Sequence, residues 1–248
     1  MQKKKKSFYC KIAGIVYKIE YLYEETKKYF NDYILEFPGA EEQENAIVIS
    51  YTQSDIDATK ELFEASSKEY REYGCIFDKI VSMLPQMGMI LMHGAAIEYH
   101  EKGYIFTAPS GTGKTTHIRL WKKYLGDEVA IVNGDKPEIS FDEENVWMHG
   151  APWCGKEGWQ INKSVPLAGV CLLRRAEKNR IKEISAGEYL EFFMKQFYFD
   201  MKGDEFLTVL DLFDRMTKKV PFYLLECNIS EEAARCSFEK MTGEQWKI

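Results

Sequence analysis

The chain has 248 residues, 45% hydrophobic and 29% charged, with 33 basic and 39 acidic side chains for a net charge of −6. That much apolar material supplies a sizeable core and excludes a disordered chain. The acidic balance, spread evenly along the sequence, excludes a dedicated nucleic-acid binder, which carries a basic face.

The run Lys3–Lys6 reads as a solvated N-terminus, with a tail for membrane surfaces or nucleic acid as the other reading. Residues 7–22 are rich in Ile, Val, Tyr and Phe and predict one or two strands with a tight turn at Ala13-Gly14. Phe37-Pro38-Gly39 is a turn, Glu41–Glu44 extends the loop, and Ala46–Tyr51 is a further strand. Residues 55–84 carry helical spacing at Leu62, Phe63, Tyr70, Tyr73, Phe77, Ile80, Val81 and Leu84, ended by Pro85. Residues 1–85 thus form a small α+β segment, strands and then a long helix, ahead of a core over 86–248.

In that core Met89–Glu98 is an apolar run, and Tyr99–Lys102 is a hairpin turn before the buried strand Tyr104–Thr107. A Gly/Ser/Thr-rich loop, Ala108–Thr116, leads into a helix over Thr116–Leu125 stopped by Gly126. Strands follow at Val129–Val132, Ile139–Phe141, Val146–Met148 and Leu167–Leu173. Two helices fill 186–219, with Tyr189–Met201 apolar around most of its circumference: a buried helix, or a docking surface. Phe222–Cys227 is the last strand, and Ser230 caps a final helix. Strands alternating with helices predict an α/β fold with a mixed, partly parallel sheet flanked by helices.

The six cysteines show no metal or redox spacing and read as reduced thiols. No signal peptide is visible, and the longest uncharged stretch, Ile80–Ile97, is broken by Pro85, Gly88 and Gly94. The expectation is a cytoplasmic protein that does not engage a membrane; a homo-oligomer is compatible with the sequence.

The sharpest motif is Ala108-Pro109-Ser110-Gly111-Thr112-Gly113-Lys114-Thr115, a phosphate loop in the form with Ala first, between a short strand and a helix. Gly111 and Gly113 allow the backbone to curl its N–H groups onto phosphate oxygens. Lys114 supplies a cation, Thr115 a hydroxyl for Mg²⁺, and the helix a positive end. Ser110, Thr112 and Thr116 complete the candidate nucleotide contacts. No guanine-reading Asn-Lys-x-Asp is present, which favours ATP. Asp135 ends the next strand within Asn133-Gly134-Asp135, where a carboxylate can hold Mg²⁺ or take a proton from a hydroxyl; a plain turn is the alternative.

His93, before Gly94, is a core histidine or a group that orients Asp135. Arg174-Arg175 is a solvated turn or a clamp on phosphate charge. Lys156, in Pro152-Trp153-Cys154-Gly155-Lys156, belongs to a structural turn or to a loop that closes over nucleotide. His117 and His149 lack metal-spaced partners and read as structural.

The ordered set His93-Gly94, Ser110–His117, Asn133–Pro137, Pro152-Trp153 and Gly155-Lys156 resembles the HPr kinase/phosphorylase superfamily over about residues 90–180. It is most similar to the shorter HPr-serine-kinase-like proteins found beside peptide-modifying genes. The resemblance implies Mg²⁺-dependent transfer of the ATP γ-phosphoryl to a serine hydroxyl of a protein or peptide. Asp135 would be general base and metal neighbour, with His93 close by and Lys114 on the phosphates. Relatives commonly carry two adjacent Asp residues where this chain has Gly134-Asp135; the retained acid matches the second. The loop is also similar to that of ATP-dependent phosphoenolpyruvate carboxykinase, an enzyme about twice this size whose further metal ligands have no counterpart here. A nucleotide-binding regulatory module and a small-metabolite kinase are the alternatives.

Overall fold

The computed structural model describes residues 4–60, 66–199 and 204–246. Contacts divide the chain into two compact units, Met1–Met83 and Leu84–Ile248.

In the first unit β1 (Lys6–Ile12) and β2 (Ile15–Tyr21) form an antiparallel hairpin. Ala13 (φ 49°) and Gly14 (φ 84°) both take the left-handed turn that matches strand twist. A 3₁₀ segment, Glu24–Tyr33, leads to β3 (Ile34–Leu35), α1 (Ala40–Glu44), β4 (Ile47–Ser50) and α2 (Gln53–Ala58). The sheet order is β3-β1-β2-β4, with β4 parallel to β2. Alternation buries Phe8, Cys10 and Ile12 of β1 with Tyr17 and Ile19 of β2. The lysine run is not simply solvated: Lys6 opens β1 and pairs with Glu24 at 2.7 Å, while Lys3 lies outside the described residues.

The single helix expected over 55–84 is corrected. α2 ends at Ala58, and α3 (Lys68–Met83) starts afresh. Ser67 accepts the Tyr70 N–H on its hydroxyl, a local cap that competes with helix continuation. Leu62 and Phe63 lie outside the described residues. Glu72 of α3 is fully buried because it accepts from Leu22 N–H, Tyr23 N–H and the Thr26 hydroxyl, at 2.6, 3.1 and 2.6 Å.

The second unit opens with a turn, Pro85–Met87, closed by left-handed Gly88. Its strands are β5 (Met89–Met92), β6 (Ala95–Tyr99), β7 (Lys102–Thr107), β8 (Val129–Asn133), β9 (Glu138–Phe141), β10 (Val146–His149), β11 (Ser164–Arg175), β12 (Arg180–Ile184), β13 (Phe197–Tyr198) and β14 (Phe222–Cys227). Its helices are α4 (Lys114–Leu125), α5 (Leu190–Met194), α6 (Asp204–Lys219) and α7 (Glu231–Thr242). The fold is α/β with a mixed sheet flanked by helices. The path β13-β5-β9-β10-β11 is antiparallel; β11 then lies parallel between β7 and β14, and β6 and β8 continue beyond β7.

Alternation along β11 sorts the core into two. Cys171 and Leu173 face α4 and α7, packing with Trp121 and Phe238; Val170 and Leu172 face α5, α6 and the antiparallel strands.

Three further expectations change. The apolar run Met89–Glu98 is two strands, broken at His93-Gly94. A Cβ on Gly94 would stand 2.6 Å from Ile105 Cγ2, so only glycine permits the step between strands. The helix expected over Tyr189–Met201 stops after α5: Phe197 and Tyr198 pair with Met92 and Leu91, and strand pairing overrides the apolar run. Asp200 and Met201 lie outside the described residues. Arg174 and Arg175 belong to β11, because Glu226 and Cys227 extend the ladder beside them. No described helix is long and apolar enough to cross a membrane, and no disulfide joins the cysteines among the described residues.

Candidate active site

The glycine-rich loop leaves β7 at Thr107 and enters α4 at Lys114. Gly111 (φ +76°) and Gly113 (φ +123°) hold conformations that L side chains rarely adopt, so the loop curls as it does because both are glycine. The first bond of α4 runs from His117 N–H to Gly113 O at 2.9 Å. The amides of Lys114, Thr115 and Thr116 therefore stand outside the helical ladder, at its positive end. Arg175, from the end of β11, donates to Thr112 O at 3.0 Å and to Gly111 O, fixing two loop carbonyls. The hydroxyls of Thr115 and Thr116 are half-buried and make no hydrogen bond among the described residues. Ser110 is exposed at the tip. Such a curl presents N–H donors, a cation and uncommitted hydroxyls to one small volume, which suits an anion with several oxygens.

Beside the loop the sequence candidates converge. Lys114 Nζ lies 3.0 Å from His93 Nε2 and donates to Ala108 O at 3.2 Å. His93 Nε2 is 3.5 Å from Asp135 Oδ1. The other ring nitrogen faces Gln196 Oε1 at 3.1 Å and acts as donor there. Nε2 of His93 thus stands between the Lys114 ammonium and the Asp135 carboxylate. Backbone bonds lock the cluster: His93 N–H donates to Gln196 O at 2.7 Å and Gly94 N–H to Asp135 O at 2.9 Å. Asn133 shapes the turn carrying the acid by accepting from Asp135 N–H and Lys136 N–H at 2.8 and 2.6 Å.

The charges are strongly perturbed. Burial lowers the Lys114 ammonium from its ordinary value, Asp135 opposes that shift, and Lys136 adds to it. Burial works against ionisation of Asp135, but hydrogen bonds from His93 and Lys136, and the charge of Lys136, outweigh it and carry the carboxyl down to about 2. Asp135 is therefore a carboxylate gripped from two sides.

Lys136 entered the sequence reading only as part of Asn133–Pro137, with no role at the site, and Gln196 did not enter it. The position of Lys136, next to the acid, was a usable signal; nothing local marks Gln196, which lies 103 residues from His93. Gly155 approaches as well: a Cβ there would stand 3.4 Å from Asp135 Cβ. That loop is anchored by Trp153, which donates to buried Glu138 at 2.8 Å; burial pushes the Glu138 carboxyl up to about 7. Lys156 and Arg174 are exposed and make no hydrogen bond or ion pair among the described residues. The structure thus brings together Lys114, His93 and Asp135 and sets Arg175 on the loop, while Lys156 and Arg174 stay outside that cluster.

Two cavities flank the loop on its other side. One, about 740 Å³, lies toward α4 and the ends of β11 and β14, with Leu120, Leu173, Ala176, Cys227 and Ile229 among its walls. The other, about 510 Å³, lies toward α5, with Ser110, Leu172, Tyr189 and Phe192. Arg174 and Arg175 border both.

The family described as SynChlorMet cassette protein ScmC matches residues 73–235. Among curated proteins no sequence matches. The structure of the Hpr(Ser) kinase/phosphatase from Coxiella burnetii is similar at 10% identity and a TM-score of 0.35, covering 62% of this chain and 93% of that one. The family that matches is ScmC.

Proposed function

The chain belongs to the SynChlorMet cassette protein ScmC family, and from the geometry above we propose that it is a phosphotransferase. It moves the γ-phosphoryl group of ATP to a serine hydroxyl of a protein or peptide. The carrying observation is that Lys114, at the mouth of a loop curled by two left-handed glycines, meets His93 and, through it, Asp135. A phosphate cradle and a carboxylate thereby share one point.

In the absence of phosphate the contacts of Lys114 Nζ are an imidazole nitrogen and a carbonyl, neither of which carries a full negative charge. Phosphate oxygens are a better partner and oppose the lowering that burial imposes on the ammonium. Release of His93 Nε2 from Lys114 leaves it facing Asp135 alone. Asp135 accepts the serine proton as the Ser Oγ–P bond forms and the bond to the ADP oxygen breaks. A carboxyl held near 2 is a weak base toward a free hydroxyl. It suits transfer in which the proton leaves late, after the forming P–O bond has acidified the hydroxyl. Mg²⁺, when bound, neutralises phosphate charge; the uncommitted Thr115 hydroxyl and the Asp135 carboxylate fit its preference for few protein oxygens beside phosphate and water. Support for serine as acceptor comes from the sequence resemblance to HPr kinases.

A second reading, a nucleotide-binding regulatory module, is favoured by Gly134, which leaves a single acid in the turn. The test is incubation with γ-labelled ATP, Mg²⁺ and an extract of the source cells, followed by phosphoamino-acid analysis. Labelled phosphoserine is expected with the wild type. Asp135→Asn should lose about a thousandfold in transfer while retaining ATP in equilibrium dialysis. Undiminished transfer by Asp135→Asn removes its role as base; ATP binding without any transfer or ADP formation selects the regulatory module.

A further inference from the structure

The strand order places the transferring end of a nucleotide. β7 delivers the loop; Asp135 follows β8, and His93 precedes β6, so both lie on the β6/β8 side of β7. A nucleotide anchored by its phosphates at the loop must leave on the opposite side, over the ends of β11 and β14, outside the carboxyl ends of the parallel strands. There the 740 Å³ cavity begins at Gly113 and Thr116, where the helix amides are, and continues between Leu120 of α4 and Leu173 of β11. At its mouth Ile229 is 77% exposed, a large apolar side chain kept in water beside a cavity.

We propose that this cavity holds the base of the nucleoside triphosphate, gripping its faces by apolar contact with Leu120, Leu173 and Ile229 and reading little of its edge. This rests on the phosphate-loop reading above. Cys227 and Asn228 at the rim are already committed, and the charged Arg174 and Glu177 on the wall are exposed to water. Cys227 O accepts from Ala176 N–H at 2.9 Å. Asn228 donates from Nδ2 to Glu177 O at 2.9 Å and from its N–H to Asn179 Oδ1 at 3.0 Å, while its Oδ1 accepts from the Ser230 hydroxyl at 2.5 Å. A site without an uncommitted amide for the base edge discriminates weakly between bases, because a wrong base leaves no buried polar group unpaired. ATP, GTP and ITP are therefore expected to bind with dissociation constants within about tenfold of one another.

The experiment compares ATP with inorganic tripolyphosphate, which keeps the phosphates and lacks the base, by titration calorimetry on the full chain with Mg²⁺. Ile229→Ala, at an exposed position that folding does not depend on, and Leu120→Ala should each weaken ATP about tenfold and leave tripolyphosphate unchanged. Equal ATP binding by wild type and both variants overturns the proposal. So does a loss of ATP affinity that follows Tyr189→Ala or Phe192→Ala instead, since the base then sits in the smaller cavity. A hundredfold penalty for GTP or ITP overturns recognition by apolar contact alone. If the wild type binds neither ATP nor tripolyphosphate, the phosphate-loop reading itself fails; if it binds both and only the variant pattern is wrong, the fault lies with the base site.

Discussion

Lys114 and His117 sit one turn apart on α4, yet they serve two unlike regions. Lys114 reaches a cluster in which every charged group has partners from different elements: His93, Asp135, Lys136 and a loop carbonyl. His117 is buried against Ser237, whose hydroxyl oxygen also accepts from Trp121 Nε1; the two contacts measure 2.9 and 2.8 Å. Ser237 in turn bonds the Ala234 carbonyl of its own helix at 2.9 Å. This second arrangement ties α4 to α7 with neutral groups. His149 repeats the pattern, clamped between the hydroxyls of Ser140 and Ser164 at 2.8 and 2.7 Å. The lesson is that polar burial on one helix can be either exchangeable or locked. Charge shared among several groups is free to rearrange when an anion arrives; neutral pairs hold the scaffold still while it does.

The largest expected effect breaks the exchangeable side. Lys114→Met should lower single-turnover phosphoryl transfer by at least about a hundredfold, with a small change in melting temperature, because a cation costly to bury is removed. Comparable losses of transfer and stability would instead make Lys114 a structural residue. On the locked side, Ser237→Ala leaves His117 Nε2 and Trp121 Nε1 without partners. Urea unfolding should show a loss of about 2–4 kcal/mol, with kcat retained in the folded fraction.

The smallest effect sharpens the comparison through pH. Burial lowers His117 from 6.5 to about 3. The unfolded chain takes up this proton near 6.5 and the folded one does not, so its stability is full above 6.5 and is lost as pH falls toward 3. Glu138 runs the other way, raised from 4.5 to about 7: its stability is full below 4.5 and is lost as pH rises through 7. Denaturant titrations at pH 5 and pH 8 should therefore show Glu138→Gln gaining on the wild type as pH rises. A wild type that holds or improves its stability relative to Glu138→Gln over that interval would contradict the assignment.

What was legible in the sequence was whatever is written within a few residues. The loop Ala108–Thr115 and the acid Asp135 are short-range patterns, and both stand where such patterns put them relative to strand and helix. His93 was marked by family resemblance, since its meaning depends on Lys114 and Asp135 arriving from two other segments. Arg175 was visible as a charge at a strand end, but its contact with the loop crosses from β11 to β7 and needs the parallel pairing of the two. Ser66-Ser67 escaped attention inside an apolar period, although a serine hydroxyl is a ready helix cap. β12 was hidden because Arg180, Lys182 and Glu183 lie exposed on an edge strand and read as a solvated turn. Phe197-Tyr198 has aromatic composition compatible with either helix or strand, and only its distant partner β5 decided.

β11 makes an unequal sequence of events during folding. Its first residues pair with β10, a neighbour in the chain, through Trp147, Met148 and His149. Its last six, Val170–Arg175, have β14 as their outer partner, and β14 is made only after β12, α5, β13 and α6. Parallel pairing of that kind closes slowly, because a long loop must be ordered before the ladder forms. Until Phe222–Cys227 docks, the strand that ends in Arg175 offers a bare row of amides and carbonyls to any passing chain. The arginine that steadies the glycine-rich loop is therefore among the last groups whose surroundings are completed. A nascent or truncated chain passes through its most association-prone stage just before the site is assembled.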